Sequence, residues 1–370
     1  MKQELRIIIS GGGTGGHIFP AVSIANALKE KRPDAKILFV GAEGRMEMQR
    51  VPAAGYEIKG LPVAGFDRRR LWRNFGVLVK LMRSRRLARR IVKDFRPDVA
   101  VGVGGYASGP TLDVAQKLGI PTLIQEQNSY AGVTNKLLAK GAKRICVAYE
   151  GMERFFPADR IILTGNPVRQ SLLDATLSRE EAIRSFGLDP DKRTILMVGG
   201  SLGARTLNDC VLGQLPLIRQ QENVQFVWQT GKYYSEEIAR ELQARNKPDN
   251  LYVTDFIADM NAAYAAADLV ISRAGAGSIS EFCLLGKPVV LVPSPNVSED
   301  HQTKNAMALV QKEAAICVAD AQAGQTLLPL AINTVADTEL LRSLSCNIKS
   351  LAKADAAAVI ADEVLRLAGV

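Results

Sequence analysis

Short runs of apolar, largely β-branched residues alternate along this 370-residue chain with longer stretches of helical pattern. In the first half, strands are predicted at Leu5–Ser10, Lys36–Gly41, Val99–Val103, Thr122–Gln125, Arg144–Ala148 and Ile161–Thr164. Helices are predicted between them at Ala21–Lys31, Val77–Phe95, Pro110–Leu118 and Thr134–Lys140. This alternation predicts an α/β fold, a parallel sheet with helices on both faces.

The pattern restarts after a Gly-, Asn- and Pro-containing stretch at Gly165–Arg169. The second set of predicted strands is Thr194–Val198, Gln225–Gln229, Leu251–Thr254, Leu269–Ser272 and Val289–Pro293. The helices with them are Leu207–Gln220, Ser235–Arg245, Ala258–Ala266, Ser278–Leu285 and His301–Glu313. We therefore expect two doubly wound domains, residues 1–167 and 168–353, with ligands in a cleft between them. A last helix, about 354–370, should pack back on the first domain.

The first predicted strand runs into five glycines, one Thr and His17 before a helix begins. Glycines let backbone N–H groups approach an anion, and the positive end of the helix favours a diphosphate there. The helix dipole should lower the pKa of His17 and keep its ring neutral. His17, one of two histidines in the chain, is therefore a candidate general base.

Gly11, Gly13 and Gly16 also satisfy G-x-G-x-x-G, so a dinucleotide-dependent oxidoreductase is an alternative. Such a site needs an acid after the second strand to hold a ribose, and Glu43 lies there. An imidazole inside the loop is not needed for hydride transfer. His17 therefore favours a different phosphate ligand.

The segment Arg273–Glu281 repeats the arrangement in the second half, where small residues open a helix after a strand. Ser278 and Ser280 could donate to phosphates, and Glu281, expected in the first turn, could accept from ribose hydroxyls. The alternative is a capping box in which Ser278 and Glu281 bond each other's backbone. The local pattern favours the cap, but a plain cap does not need the preceding glycines.

Polar residues follow other strands. Glu126 is a second candidate base or a partner that orients His17, and Gln302 suits sugar hydroxyls. Ordinary loop or first-turn roles are the alternatives. Asp189 and Asp191 form the chain's candidate Asp-x-Asp metal motif, but Pro190 between them predicts a turn. We infer no required metal and no cofactor.

Composition narrows the function classes. The five cysteines are scattered without C-x-x-C, which suits reduced thiols in a cytosolic protein. The charged N-terminus predicts no signal peptide, and no apolar run approaches the roughly 20 residues that span a bilayer. The net charge of +9 points to an anionic partner.

That charge is concentrated between residues 66 and 96, where twelve Lys or Arg and two Asp give a net +10. One stripe of the predicted helix suits a core. The other side forms a candidate membrane patch: Leu71, Trp72, Phe75, Leu78, Met82, Arg85, Arg86 and Arg89. Burial on two sides with solvated arginines is an equal alternative. A nucleic-acid face is weaker, because no aromatic–basic interleaving supports it.

Together these motifs resemble the MurG family, the bacterial peptidoglycan glycosyltransferases of GT-B type and glycosyltransferase family 28. The resemblance covers essentially the whole chain. It is carried by GGGTGGHIFPA (11–21), GVGGYASGP (102–110), QEQNSYAGVTNK (125–136), GNPVR (165–169), GGSLGAR (199–205), FIADM (256–260), RAGAGSISE (273–281) and HQTKNA (301–306).

The resemblance implies a GT-B fold of two Rossmann-like domains that transfers N-acetylglucosamine from UDP-N-acetylglucosamine to a lipid-linked muramyl-pentapeptide. It implies a catalytic role for His17 or Glu126. The donor-binding residues that it implies are Thr14, Gly15, Gly16, Asn128, Arg169, Ser201, Ile257, Ala276, Gly277, Ser278, Ile279, Ser280, Glu281 and Gln302. In this scheme the first domain binds the acceptor and the second binds the UDP-sugar.

The resemblance also favours the membrane patch, since the acceptor's polyprenyl tail stays in the bilayer. We therefore expect a peripheral protein on the cytoplasmic face of the bacterial plasma membrane, with no nucleic-acid partner. A soluble UDP-N-acetylglucosamine 2-epimerase of similar architecture is the alternative function.

Overall fold

The computed structural model describes residues 4–13, 15–63, 75–169, 172, 177–200 and 202–370. They divide into two compact units, Met1–Arg169 with Lys353–Val370, and Gln170–Ala352. No helix in these described ranges combines the length and apolar character needed to cross a bilayer.

The first unit is built on a parallel sheet whose strand order is β3-β2-β1-β4-β5-β6-β7. The strands are β1 (Arg6–Ser10), β2 (Lys36–Ala42), β3 (Glu57–Leu61), β4 (Val99–Gly102), β5 (Thr122–Glu126), β6 (Arg144–Val147) and β7 (Ile161–Leu163). The helices are α1 (Gly15–Lys31), α2 (Glu47–Ala53), α3 (Phe75–Phe95), α4 (Ser108–Lys117), α5 (Val133–Leu138) and the C-terminal α15 (Ala356–Leu367). The order reverses between β1 and β4, as in Rossmann-like sheets.

Alternate residues of β1 supply the cores on the two faces of this sheet. Ile7 and Ile9 pack in one cluster with α1 and with Ile360 of α15. Ile8 faces the other way, in a cluster that includes Ala88 and Val92 of α3. α15 thus completes the core of the first unit.

The second unit repeats this plan with the strand order β10-β9-β8-β11-β12-β13, again parallel. Its strands are β8 (Arg193–Val198), β9 (Val224–Gln229), β10 (Leu251–Thr254), β11 (Leu269–Ser272), β12 (Val289–Leu291) and β13 (Ile316–Cys317). Its helices are α6 (Arg179–Ser185), α7 (Arg205–Gly213), α8 (Leu215–Arg219), α9 (Ser235–Ala244), α10 (Met260–Ala266), α11 (Ala276–Leu285), α12 (His301–Val310), α13 (Ala323–Ala336) and α14 (Thr338–Ser350). The predicted α/β class with two doubly wound domains is confirmed.

Several element predictions need correction. α1 begins at Gly15, six residues before the predicted start, so the glycine loop itself winds into the helix. The single helix predicted at Leu207–Gln220 is two helices, because Gln214 leaves the helical region (φ −122°) and Pro216 has no N–H to continue the ladder. The pattern also missed β3, where exposed Glu57 and Lys59 mark an edge strand. The helices α2, α6, α13 and α14 and the strand β13 were not predicted either.

Candidate active site

His17 lies in the first turn of α1, at the end of the loop that follows β1. Its Nδ1 is 3.1 Å from the carbonyl oxygen of Gly12. A carbonyl can only accept, so in the neutral ring Nδ1 carries the proton and Nε2 presents its lone pair. This is the tautomer that a general base working through Nε2 needs.

The Nε2 edge of the ring faces the loop that follows β4. Gly104 in that loop has a φ of +89°, and a Cβ added there would lie 3.0 Å from Nε2 of His17. A side chain at this position would therefore crowd the reactive edge of the imidazole. Two glycine-rich loops, after neighbouring strands β1 and β4, thus meet at His17.

Glu126 ends β5 and is only 2 % exposed. Its carboxylate accepts from the backbone N–H of Asn128 (3.1 Å) and of Gly132 (3.0 Å), and from Nδ2 of Asn135 (2.8 Å). Burial raises the pKa of this carboxyl, while these N–H donors act to lower it. Glu126 therefore organises the loop 126–135 and places Asn128.

A buried amide network joins the ends of the neighbouring strands. Gln125 donates to Asn166 (2.9 Å), and Asn166 donates to the carbonyl oxygen of Gln127 (3.0 Å). Gln127 in turn donates to the carbonyl oxygen of Val103 (2.7 Å), beside Gly104. The network fixes the loop against which His17 packs. Asn166 belongs to the Gly165–Arg169 stretch, which the sequence pattern had marked only as a break.

The other predicted site residues of the first unit lie around the start of α1. Gly15 and Gly16 are its first two residues, and Thr14 lies outside the described residues. The guanidinium carbon of Arg169 is 5.9 Å from the ring centroid of Phe19, which is half exposed. Arg169 therefore lies against the first turns of α1.

In the second unit, α11 opens directly after β11 with the small residues Gly275, Ala276 and Gly277. Gly275 is the N-cap in an extended conformation, and no side chain caps the helix. The predicted capping box at Ser278 is therefore wrong, because Ser278 already lies inside the helix. Four small or glycine positions from 274 to 277 leave the helix N-terminus open to an anion.

Glu281 was expected in the first turn of α11, and this expectation is also wrong. The helix begins at Ala276, so Glu281 lies in its second turn, where its Oε2 accepts from the hydroxyl of Tyr264 at 2.8 Å. Ser280 donates to the carbonyl oxygen of Ala276 (3.0 Å), and Ile279 is 2 % exposed. α10 therefore supports the carboxylate that follows the open helix end.

Gln302 and Ile257 both follow the carboxyl ends of strands of the second sheet, Ile257 after β10 and Gln302 after β12. Gln302, in the first turn of α12, accepts from the backbone N–H of Ser294 (2.8 Å), and Ile257 is buried after β10. Asn305 on α12 donates to the carbonyl oxygen of Ala274 at 3.4 Å. α12 is thus tied to the loop that starts α11. Ser201 lies outside the described residues.

The sequence did not indicate the ion pair between Arg273 and Asp320. Arg273 follows β11 and also donates to the carbonyl oxygens of Val292 (3.1 Å) and Pro293 (3.3 Å). Asp320 accepts from the hydroxyl of Thr206 at 3.0 Å. These contacts join the carboxyl ends of β11 and β12 with the starts of α7 and α13. No motif signal pairs residues so far apart in sequence.

α3 has one buried stripe and one basic face. Ala88 and Val92 are 1 % exposed, with Ile91 and Phe95 packed beside them, so one stripe of the helix joins the core. Arg86 and Arg89 are exposed, and Met82 is 55 % exposed. Arg85 pairs with Asp113 at 2.6 Å. Leu71 and Trp72, and the side chains of Phe75 and Leu78, lie outside the described residues.

The two Rossmann-like units with open glycine-rich strand ends define a GT-B fold, which is shared by several classes of sugar-nucleotide enzymes. The solved UDP-GlcNAc 2-epimerase from Neisseria meningitidis matches 98 % of this chain and 100 % of its own with a TM-score of 0.68. At 15 % identity this likeness shows the fold alone.

Comparison with protein-family models identifies the family of sugar-nucleotide enzymes to which the chain belongs. The N-terminal domain model of glycosyltransferase family 28 matches residues 7–147, and its C-terminal domain model matches residues 194–365. The chain belongs to glycosyltransferase family 28.

Relatives within the family are close. A protein of Bacteroides fragilis named UDP-N-acetylglucosamine–N-acetylmuramyl-(pentapeptide) pyrophosphoryl-undecaprenol N-acetylglucosamine transferase is 70 % identical over 99 % of this chain and 96 % of its own. The crystal structure of Acinetobacter baumannii MurG is 30 % identical, with a TM-score of 0.77, covering 98 % of this chain and 99 % of that one.

Proposed function

We propose that this chain transfers N-acetylglucosamine from UDP-N-acetylglucosamine to the C4 hydroxyl of undecaprenyl-diphosphoryl-N-acetylmuramyl-pentapeptide, with inversion at the anomeric carbon. The observation that carries the proposal is the 70 % identity, over 99 % of the chain, to a relative named for this transfer. The product is the disaccharide-linked lipid precursor of peptidoglycan. The enzyme is an N-acetylglucosaminyltransferase.

The second unit holds the donor in this proposal. The open N-terminus of α11 receives the diphosphate through backbone N–H groups, where the helix dipole stabilises the negative charge. Glu281, held by the hydroxyl of Tyr264, accepts from the ribose hydroxyls. The backbone at Ile257 contacts uracil, and Gln302 reaches the sugar.

The first unit holds the acceptor and supplies the base. Nε2 of His17 takes the proton of the acceptor C4 hydroxyl as that oxygen forms a bond to the anomeric carbon of the donor. The bond between this carbon and the diphosphate oxygen breaks, and its electron pair leaves with UDP. The helix N-terminus of α11 then stabilises the departing diphosphate.

Between the two candidate bases, the contacts favour His17. Its Nδ1 is engaged with Gly12, so in the neutral ring the lone pair lies on Nε2, which faces the loop after β4. Burial raises the pKa of Glu126, but its carboxylate is committed to N–H donors of Asn128, Gly132 and Asn135 in its own loop. We assign Glu126 to holding the loop that carries Asn128.

The exposed basic face of α3 suits an anionic membrane. Each Lys or Arg near such a surface contributes about 1 kcal/mol to binding. Arg86, Arg89 and the neighbouring exposed Arg90 and Lys93 supply this charge next to exposed Met82. We propose that the protein binds peripherally to the cytoplasmic face of the plasma membrane, where the lipid-linked acceptor is anchored.

Product analysis with radiolabelled UDP-N-acetylglucosamine tests the transfer. With a lipid-linked muramyl-pentapeptide we expect label to enter the lipid fraction and UDP to be released in equal amount. With the donor alone we expect no epimer. Formation of UDP-N-acetylmannosamine without transfer would overturn the proposal in favour of an epimerase.

A further inference from the structure

The peptide group between Gly12 and Gly13 is hydrogen-bonded at both of its ends. Its carbonyl oxygen, on Gly12, faces Nδ1 of His17 at 3.1 Å. Its N–H, on Gly13, donates to the carboxylate of Glu47, with the two oxygens at 3.1 and 3.0 Å. One peptide plane therefore connects a carboxylate to the imidazole.

Glu47 is fixed where it makes this contact. It is the first residue of α2 and is 1 % exposed. Its Oε1 also accepts from the backbone N–H of Ala42, at the end of β2, at 2.9 Å. Gly12 lies directly against this side chain, with a φ of +145°, and a Cβ there would overlap the Glu47 carboxylate. The loop after β1 is thus shaped around a buried carboxylate.

Hydrogen bonds in series polarise one another in a low-dielectric interior. A carboxylate that accepts from an amide N–H makes the carbonyl oxygen of the same amide a stronger acceptor. Here that oxygen holds Nδ1–H of His17, so the Nδ1–H tautomer is favoured and the lone pair of Nε2 becomes more basic. In serine hydrolases an aspartate bonded directly to the imidazole has the same effect.

We propose that Glu47 is a positioning residue that orients and activates His17 through the Gly12–Gly13 peptide group. The proposal rests on the proposed role of His17 as the general base. Glu47 itself touches no reacting atom. The acidic residue that acts on the loop after β1 is therefore Glu47 of α2, which lies outside the glycine motif of that loop.

Other charged groups on elements around His17 are Arg169, which lies over the Phe19 ring of α1, and Glu126, which ends β5. Glu126 is committed to N–H donors in its own loop. Neither of these groups is changed by a substitution at position 47. Such a substitution therefore changes the Glu47 carboxylate and its hydrogen bonds to Gly13 and Ala42, and leaves these two groups in place.

The test compares Glu47→Gln with Glu57→Gln, which removes an exposed carboxylate from neighbouring β3. Gln keeps an acceptor oxygen for Gly13 and Ala42 but removes the charge. For Glu47→Gln we expect kcat to fall about tenfold with little change in the donor KM, because base catalysis is weakened and donor contacts stay. We expect the acid limb of the pH profile of kcat to move to lower pH, because the imidazolium loses a stabilising charge. Glu57→Gln should match the wild type.

A second readout needs no catalysis. The chain has only two histidines, so NMR of ¹³C/¹⁵N-labelled imidazoles can follow His17, assigned by loss of its signal in His17→Asn. We expect the Nδ1–H tautomer in the wild type and a lower His17 pKa in Glu47→Gln. Glu47→Asp keeps the charge with a shorter reach, and its His17 pKa should lie between the other two. If Glu47→Gln does not fold, the His17 pKa of Glu47→Asp is compared with that of the wild type, and a lower value in Glu47→Asp supports the proposal.

An unchanged His17 pKa and tautomer in the folded position-47 variants would overturn the proposal. So would a kcat loss from Glu47→Gln that persists in full on top of His17→Asn, because the two residues would then act independently. Both outcomes leave the transfer function standing. A wild type that makes no lipid-linked product would instead contradict the function, while the NMR result would still report on Glu47.

Discussion

At the scale of single residues, His17 after β1 and Glu126 at the end of β5 show how two ionisable groups take on different roles in different surroundings. His17 has one nitrogen engaged by a backbone carbonyl and the other facing a glycine loop. Glu126 is buried and accepts N–H donors from its own loop. Because Glu126 is committed to its own loop, we propose His17 for catalysis and Glu126 for loop order.

His17→Ala and His17→Asn separate the chemistry of His17 from its contact with Gly12. The amide of Asn can still donate to Gly12, but neither side chain can take a proton. We expect both variants to lose roughly 10²- to 10⁴-fold in kcat, while the dissociation constant of UDP-N-acetylglucosamine stays within about twofold. Steady-state kinetics and calorimetry measure the two quantities. Retained turnover in His17→Asn would remove His17 as the base.

Glu281 is tested by a ligand that lacks the hydroxyls it should hold. A charge-assisted hydrogen bond contributes about 1.5–3 kcal/mol, so Glu281→Gln should weaken UDP binding roughly 10- to 100-fold. With 2′,3′-dideoxy-UDP the variant and the wild type should bind equally. Calorimetry checks both ligands, and Tyr264→Phe, which removes a support of the carboxylate, should cause a smaller loss. Equal weakening for both ligands would show that Glu281 acts on the fold of α11 rather than on the ribose.

At the scale of elements, α3 is distinguished by its two different faces, and α11 by its open N-terminus. α3 packs Ala88 and Val92 into the first unit and leaves a row of arginines exposed. Of the apolar residues in the candidate membrane patch, the structure describes the side chain of Met82, which is 55 % exposed. α11 exposes an uncapped N-terminus lined by small residues. Both features are local. The two faces of α3 follow from residue types at helical spacing, and the open end of α11 follows from consecutive small residues.

The basic face of α3 is tested by charge reversal. Arg86→Glu with Arg89→Glu should weaken binding to vesicles of phosphatidylglycerol by at least about tenfold, because each Arg contributes about 1 kcal/mol near an anionic surface. Binding should also fall with salt. The matched control reverses Arg342 and Lys349, which are exposed on α14 of the second unit. Vesicle sedimentation measures both pairs, and an equal loss in the control would mean that net charge, rather than α3, directs binding.

At the scale of the whole molecule, two units carry separate cores. Cys146 is buried in the first unit, and burial raises its pKa to about 12. Cys210 and Cys283 are buried in the second unit, with pKa values raised to about 11 and about 12. Because the thiolate is the reactive form, these thiols react only when their unit opens. Exposed Cys346 serves as an internal reference.

Thiol labelling therefore reports which unit the donor stabilises. At a concentration about 100 times its Kd, a ligand stabilises the unit that binds it by about 2.7 kcal/mol, which slows labelling through opening roughly 100-fold. We expect UDP-N-acetylglucosamine to protect Cys210 and Cys283 far more than Cys146, and to leave Cys346 unchanged. Mass spectrometry of peptides after iodoacetamide pulses at pH 8 measures each site. Stronger protection of Cys146 would contradict donor binding by the second unit.

The sequence was sufficient where the physics is local. Periodicity placed β1, β8 and most buried strands within a residue or two, and the glycine clusters marked the loops after β1, β4, β8 and β11. The periodicity was less informative at the edge strand β3 and at the break between α7 and α8. β3 was missed because it is short and exposed Glu57 and Lys59 interrupt its apolar run. The break between α7 and α8 was missed because the apolar pattern continues through Gln214.

Some features of the site depended on tertiary structure alone. Glu47, Asn166 and Asp320 contact loops 34, 39 and 47 residues away in the chain, and no local pattern predicts such pairs. The capping box suggested for Glu281 failed because α11 begins at Ala276, and the partner of Glu281 is Tyr264 on another helix. By itself, the sequence determined the alternation of strands and helices, the glycine-rich turns and the basic face of α3, since these depend on neighbours within a few residues. Only the folded sheets decided which acid meets which loop, because parallel strands bring their carboxyl ends together regardless of the length of chain between them.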